Sequence, residues 1–349
     1  MEKMHNFVFE LSLTYLRMLS MRLIVFLKNW ALPVSILSGI IGYFCYVNMT
    51  VFDFTRPWIN GVVSVLQPAL IFCMLFITFC KVSPHELRPH KWQAWLLVTQ
   101  LLLCGTLVAA LCCMHDMKWR IIMECALLCL ICPTATAGAV VTTKLGGDAA
   151  AITTYTIIIN VAVALIGPMV IPVIHPQDGV SFVSAFLAIM HKVFPILICP
   201  LLLAWFVRYF VPSICRYLAC HADLAFYLWT VSLAIAIAVS CKVIVHSNVS
   251  VFYMSAIAIA TLICCIIQFV MGKLIGNGYG MRLEAGQSLG QKNTVFIIWL
   301  GYTFFTPITA TAGGFYSIWH NLVNSYQLYK YRSTGNPDKR HSVIKKHMR

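Results

Sequence analysis

Ser288-Leu-Gly-Gln-Lys-Asn-Thr294 puts two amides, two hydroxyls and an ammonium into the middle of a segment otherwise oily enough to cross a bilayer. A second stretch, Cys132-Pro-Thr-Ala-Thr-Ala-Gly138, interrupts an apolar run in the first half of the chain. Hydrocarbon cannot satisfy a loosened backbone, so non-helical stretches at that depth persist only against protein or a watery cavity. Interruptions at matching places in two halves of a chain point to a substrate site in a secondary transporter. Lys292 costs several kcal/mol, roughly, at the centre of a spanning helix, so it needs a compensating role.

With 60% hydrophobic and 10% charged residues and a mean hydropathy of +0.83, the chain is no soluble globular protein, which would carry about a quarter charged residues. Its 349 residues have room for about ten spanning helices of roughly 20 residues. Spans are expected near 30–49, 60–80, 92–114, 120–143, 149–173, 182–207, 224–245, 251–275, 283–305 and 308–329. The net charge of +14 does not read as nucleic-acid binding, because it follows membrane topology. With both termini cytoplasmic, 19 of the 25 Lys and Arg residues lie inside and four (Arg56, Lys118, Arg120, Lys242) outside, with Lys192 and Lys292 within spans. That asymmetry predicts a multi-pass protein of the plasma (inner) membrane.

Ten spans divide as five plus five, and an odd number per half forces the halves to be inverted. The expected fold is therefore an all-α integral membrane protein with inverted five-helix repeats over 30–175 and 176–329. Broken helices are expected in spans four and nine. Residues 1–29 read as an amphipathic cytoplasmic segment without a small-residue cleavage site, and 330–349 as a basic cytoplasmic tail. The 15 cysteines fall largely in apolar segments, where they act as small hydrophobes. Cys129-Leu-Ile-Cys132 lacks histidine partners, so neither a disulfide framework nor a metal site is expected.

Each polar residue at membrane depth can be weighed singly. Gln100 lies mid-span in the third helix and needs a partner. Thr134 and Thr136 supply hydroxyls at the first interruption; Ser288, Gln291 and Asn293 surround Lys292 at the second. Glu284 lies two helical turns before Lys292, and a structural ion pair between them is the plain alternative to a binding role. Glu124, Lys192 and Trp319-His320-Asn321 read as packing or snorkelling side chains. An intramembrane enzyme would need a nucleophile–base pair, and the within-span histidines, His191 and His320, have no Ser or Cys partner by spacing. A channel should show pore repeats or charged rings. The chain reads as a carrier rather than an enzyme, with an intramembrane enzyme and a channel or transport-derived sensor as the alternatives.

Four stretches carry a family resemblance. Lys81-Val-Ser-Pro-His-Glu-Leu looks like "LKPSDF", Val98-Thr-Gln-Leu like "VAQF", Cys132-Pro-Thr-Ala-Thr-Ala-Gly like "CPGGTASN", and Ser317-Ile-Trp-His-Asn-Leu like "SVWHN". In that order they resemble the bile acid/sodium symporters, including bacterial ten-span homologues, over roughly residues 30–329. The resemblance implies panel and core domains, spans four and nine crossing at unwound centres, and two sodium sites beside the crossing. It also implies a small organic anion as substrate, moved by alternating access. Gln100 matches the glutamine ligand of one sodium site, Thr136 and Thr156 match hydroxyl positions near the other, and Asn293 matches the asparagine of E-x-G-x-Q-N. Aligned on Gly290, that motif puts Ser288 where the shared sodium-binding glutamate belongs and Lys292 where a sodium-ligand glutamine belongs. The sodium sites near Gln100, Thr136 and Ser288 are thus degenerate. Lys292 is expected to act as a built-in cation, leaving sodium or a proton as the open choice of coupling ion.

Overall fold

The computed structural model describes residues 31–334 apart from 84, 86, 115, 177–178, 222–223 and 247–249. The expected N-terminal amphipathic segment and most of the basic tail lie outside the described residues. Helices α1 (Ala31–Asn48), α2 (Arg56–Lys81) and α3 (Lys91–Cys112) come first among the described residues, with a 3-10 turn at Thr50–Phe52. Then follow α4 (Met117–Ile131), α5 (Ala137–Lys144), α6 (Ala149–Ile174), α7 (Phe182–Leu197), α8 (Cys199–Phe210) and α9 (Pro212–Cys220). The second half holds α10 (Leu224–His246), α11 (Val251–Asn277), α12 (Arg282–Gly290), α13 (Thr294–Phe304) and α14 (Pro307–Thr334). Among the described residues there is no strand beyond one isolated antiparallel bridge, Thr134 to Lys292.

Five helices, α2, α3, α6, α10 and α11, are long and apolar enough to cross a membrane. The pair α7 and α8, bent by 41° at its break, makes a sixth if counted as one span. This is the helix set of a membrane protein. The remaining expected spans fall on α1, on α14 and on two interrupted pairs, α4–α5 and α12–α13, whose halves are each too short to cross alone. Helix α14 runs on to Thr334, past the expected end of the last span, and α9 is a short helix that periodicity did not announce.

Sequence explains both breaks. Pro133 has no N–H and its ring clashes with the carbonyl of residue 129, so α4 stops at Ile131. The second break follows Gly290, where a Cβ would stand 2.4 Å from the Phe269 ring. Glycines also let α11 and α12 touch: a Cβ at Gly272 would stand 2.4 Å from Ala285 O, and one at Gly276 2.3 Å from Met281 O. Small residues four apart are the usual device for such close approach between membrane helices. Between α5 and α6 the chain turns at Gly146, whose φ of 78° suits a residue without a Cβ. The core, with Leu127, Leu128, Phe269, Leu289 and Phe296 among its fully buried members, surrounds the two breaks.

Candidate functional site

The two interruptions meet and pair through their main chains. Ala135 N donates to Gln291 O at 2.8 Å, and Asn293 N donates to Pro133 O at 2.9 Å. Thr134 Oγ1 adds a bond to Ser288 O at 2.5 Å. Every carbonyl that α4 loses at its C-terminus can then be accounted for. Leu128 O still accepts from Cys132 N at 3.3 Å. Cys129 O, orphaned by Pro133, accepts from Gln268 Nε2 at 3.2 Å. Leu130 O accepts from Lys292 Nζ at 3.3 Å, and Ile131 O and Cys132 O both accept from Gln100 Nε2 at 3.3 Å. Unsatisfied carbonyls of a helix C-terminus favour cations. Lys292 supplies one while fully buried.

The second break is held by its own set. Asn293 Oδ1 caps α13 by accepting from Phe296 N at 3.2 Å. Tyr316 Oη donates to Gly290 O at 2.8 Å and accepts from Gln268 Nε2 at 2.9 Å. One glutamine–tyrosine pair thus links the carbonyl ends of α4 and α12. A second pair stands on the other side, where Tyr155 Oη donates to Gln100 Oε1 at 3.3 Å.

Gln100, Thr134, Ser288, Gln291, Lys292 and Asn293 are accordingly brought together at the crossing. Gln291 Oε1 lies 3.7 Å from the point where a Cβ on Gly138 would stand. Thr136, at the N-terminus of α5, is half-buried and makes no capping bond with its side chain. Thr156 spends its hydroxyl on Ile152 O of its own helix at 2.9 Å. Glu284 stands apart at the start of α6, where its Oε1 accepts from Asp148 N at 2.9 Å. Among the described residues no ion pair joins Glu284 to Lys292, so the expected structural pairing does not form. Lys192 is exposed, its Nζ 5.6 Å from the Phe304 ring centroid.

Sequence reasoning passed over several partners. Gln268, Tyr155 and Tyr316 looked like ordinary members of apolar helices. Glu124 proves to be the centre of a cluster: Arg120 Nε lies 3.3 Å from its Oε1, His175 Nε2 lies 3.1 Å from the same oxygen without a hydrogen bond, and Thr309 Oγ1 donates to Oε2 at 3.4 Å. Arg120 also bonds Leu111 O, Met114 O and Ile174 O, the carbonyl ends of α3 and α6.

A signal that could have found the partners is an internal one. Tyr155-Thr-Ile-Ile-Ile-Asn160 and Tyr316-Ser-Ile-Trp-His-Asn321 share Tyr-(Thr/Ser)-Ile-x-x-Asn. Both asparagines donate back within their own helix, Asn160 to Thr156 O at 2.6 Å and Asn321 to Ser317 O at 2.7 Å. The glutamates match as well. Glu284 before the second break bonds the N-terminus of α6, and Glu124 before the first bonds Thr309 near the N-terminus of α14.

All 15 cysteines are free, and among the described residues no group of three or more His, Cys, Asp or Glu is arranged to hold a metal ion. A hard cation at the end of α4 would need carbonyl oxygens already taken by the Gln100 amide and the Lys292 ammonium. No protein-family model matches the chain, and a search of curated proteins returns no match.

Proposed function

We propose that the protein is a secondary transporter that moves an organic anion by alternating access, with Lys292 standing in for a coupling cation. The observation that carries this reading is the pairing of two interrupted helices around a buried ammonium bonded to a helix C-terminal carbonyl. In this reading the ten spans are α1, α2, α3, α4–α5, α6, α7–α8, α10, α11, α12–α13 and α14, as inverted repeats over 30–175 and 176–329. Support for the inversion comes from the shared Tyr-(Thr/Ser)-Ile-x-x-Asn stretches in α6 and α14 and from the paired contacts of Glu124 and Glu284. Both termini are cytoplasmic, in the plasma (inner) membrane, as the Lys and Arg asymmetry favours.

Lys292 belongs to the cation side of the crossing, since its Nζ reaches the carbonyl end of α4 beside the Gln100 bonds. The resemblance to bile acid/sodium symporters then applies to the scaffold, and coupling runs without sodium, through a proton or by exchange. The alternative reading, an intramembrane enzyme, would need a nucleophile–base pair at membrane depth. The test is uptake of carboxylated and sulfated organic anions into liposomes holding the purified protein, with sodium replaced by choline. Uptake should persist without sodium and become sodium-dependent in Lys292→Gln. Strict sodium dependence of the unmodified protein would sink the built-in-cation reading.

A further inference from the structure

Helix α12 is polar yet buried on every side: each residue from Glu284 to Gly290 is buried. Several of the polar atoms around it go unused. Toward α5, Thr142 Oγ1, Ser288 Oγ and Gln291 Oε1 have no hydrogen-bond partner. Glu284 Oε1 and Thr142 Cγ2 lie 2.7 and 2.8 Å from the point where a Cβ on Gly147 would stand, and Gln291 Oε1 approaches Gly138. These groups therefore line one seam, from Gly147 to the crossing.

Toward α14, Gln287 Nε2 donates to Asn324 Oδ1 at 2.9 Å and Gln327 Oε1 at 3.1 Å. That leaves Gln287 Oε1, Asn324 Nδ2 and Gln327 Nε2 unpartnered in one cluster. Apart from Gln327, all these residues are more than nine-tenths buried. The opposite half-helix differs in degree: among the described residues of 117–136 no buried side-chain nitrogen or oxygen lacks a partner, although Gln268 Oε1 and His175 Nε2, on side chains that reach α4, do.

An unpartnered buried polar group costs roughly 1–3 kcal/mol, and six such atoms flank one nine-residue helix. Ordered water needs about 2–4 polar partners, and both groups offer donors and acceptors in that number. We propose that α12 is sheathed by ordered water, as a file along the α5 seam from Glu284 to Gln291 and a cluster among Gln287, Asn324 and Gln327. Helix α4 is dry. This hydration is independent of the transport reading; combined with the proposed topology, it lies in the cytoplasmic half of the crossing.

Two tyrosines provide a matched test. Tyr316 bonds the end of α12, Tyr155 reaches the end of α4 through Gln100, and both are fully buried. In the unmodified protein in lipid nanodiscs, hydroxyl-radical pulses read by peptide mass spectrometry should oxidise Tyr316 at least about fivefold faster than Tyr155, because bound water carries the radical source inward. Equal rates would overturn the proposal. Ile152, whose Cδ1 reaches the seam beside Gly138, should likewise outpace the equally buried Leu127. Its rate should fall when Thr142→Val and Ser288→Ala remove two water ligands. An Ile152 rate unchanged by that pair overturns the file, and if the double variant does not fold, the tyrosine comparison in the unmodified protein decides.

Discussion

Helices α4 and α12 occupy matching places before the two breaks and are built from opposite chemistry. Helix α4 carries the apolar run Ala126-Leu-Leu-Cys-Leu-Ile131 into its break, while α12 reads Glu284-Ala-Gly-Gln-Ser-Leu-Gly290. Both are enclosed by protein. The apolar helix is bound by dispersion and area burial, and its frayed carbonyls are taken up one by one. The polar helix gains little from area. It is held by close backbone approach to Gly272 and Gly276 and by side-chain bonds to α6 and α14. Two ends of one site can therefore be equally buried and yet differ in what would loosen them.

The largest expected difference comes from adding a methyl group on each side. Gly272→Ala drives a Cβ into Ala285 O and should cost about 3 kcal/mol, since backbone cannot step aside. Gly138→Ala is tight only against the Ile152 Cδ1 at 3.0 Å, a side-chain end that can rotate, with Thr134 Cγ2 and Gln291 Oε1 at ordinary contact distance, and should cost under about 1 kcal/mol. Thermal unfolding in detergent ranks the two, and a reversed order would break the contrast. Next come the paired glutamates. Glu124→Gln gives up the Arg120 and His175 contacts and should lose about 2 kcal/mol. Glu284→Gln keeps an oxygen for Asp148 N and should lose less than about 1 kcal/mol. Denaturation midpoints of the two variants decide whether the first half is the more charge-dependent. The smallest contrast lies in the tyrosines. Tyr316→Phe removes two hydrogen bonds and should cost about 2 kcal/mol, against about 1 kcal/mol for Tyr155→Phe, which removes one.

Much of the site was legible in the chain because hydropathy makes polar residues conspicuous. Pro133, Gln100 and Lys292 each break a rule of apolar helices, and each proves to act at the crossing. Long-range pairing was not legible. Nothing local to Gln268 says that its amide replaces the bond Pro133 removes from Cys129 O, and nothing near Tyr316 announces Gly290 O. Glu284 misled for a related reason: regular helical spacing put it near Lys292, but the break between them turns the chain and sends the carboxylate to Asp148 instead.

The main-chain bridge at the crossing has one more consequence. Ala135 N, Gln291 O, Asn293 N and Pro133 O fasten the two interrupted helices without using a single side-chain atom. Such a rivet is blind to the identity of residues 134 and 292. Evolution can exchange the groups displayed there, an ammonium for an amide or a hydroxyl for a methyl, without unpicking the joint. The scaffold keeps its grip while the chemistry at its centre drifts.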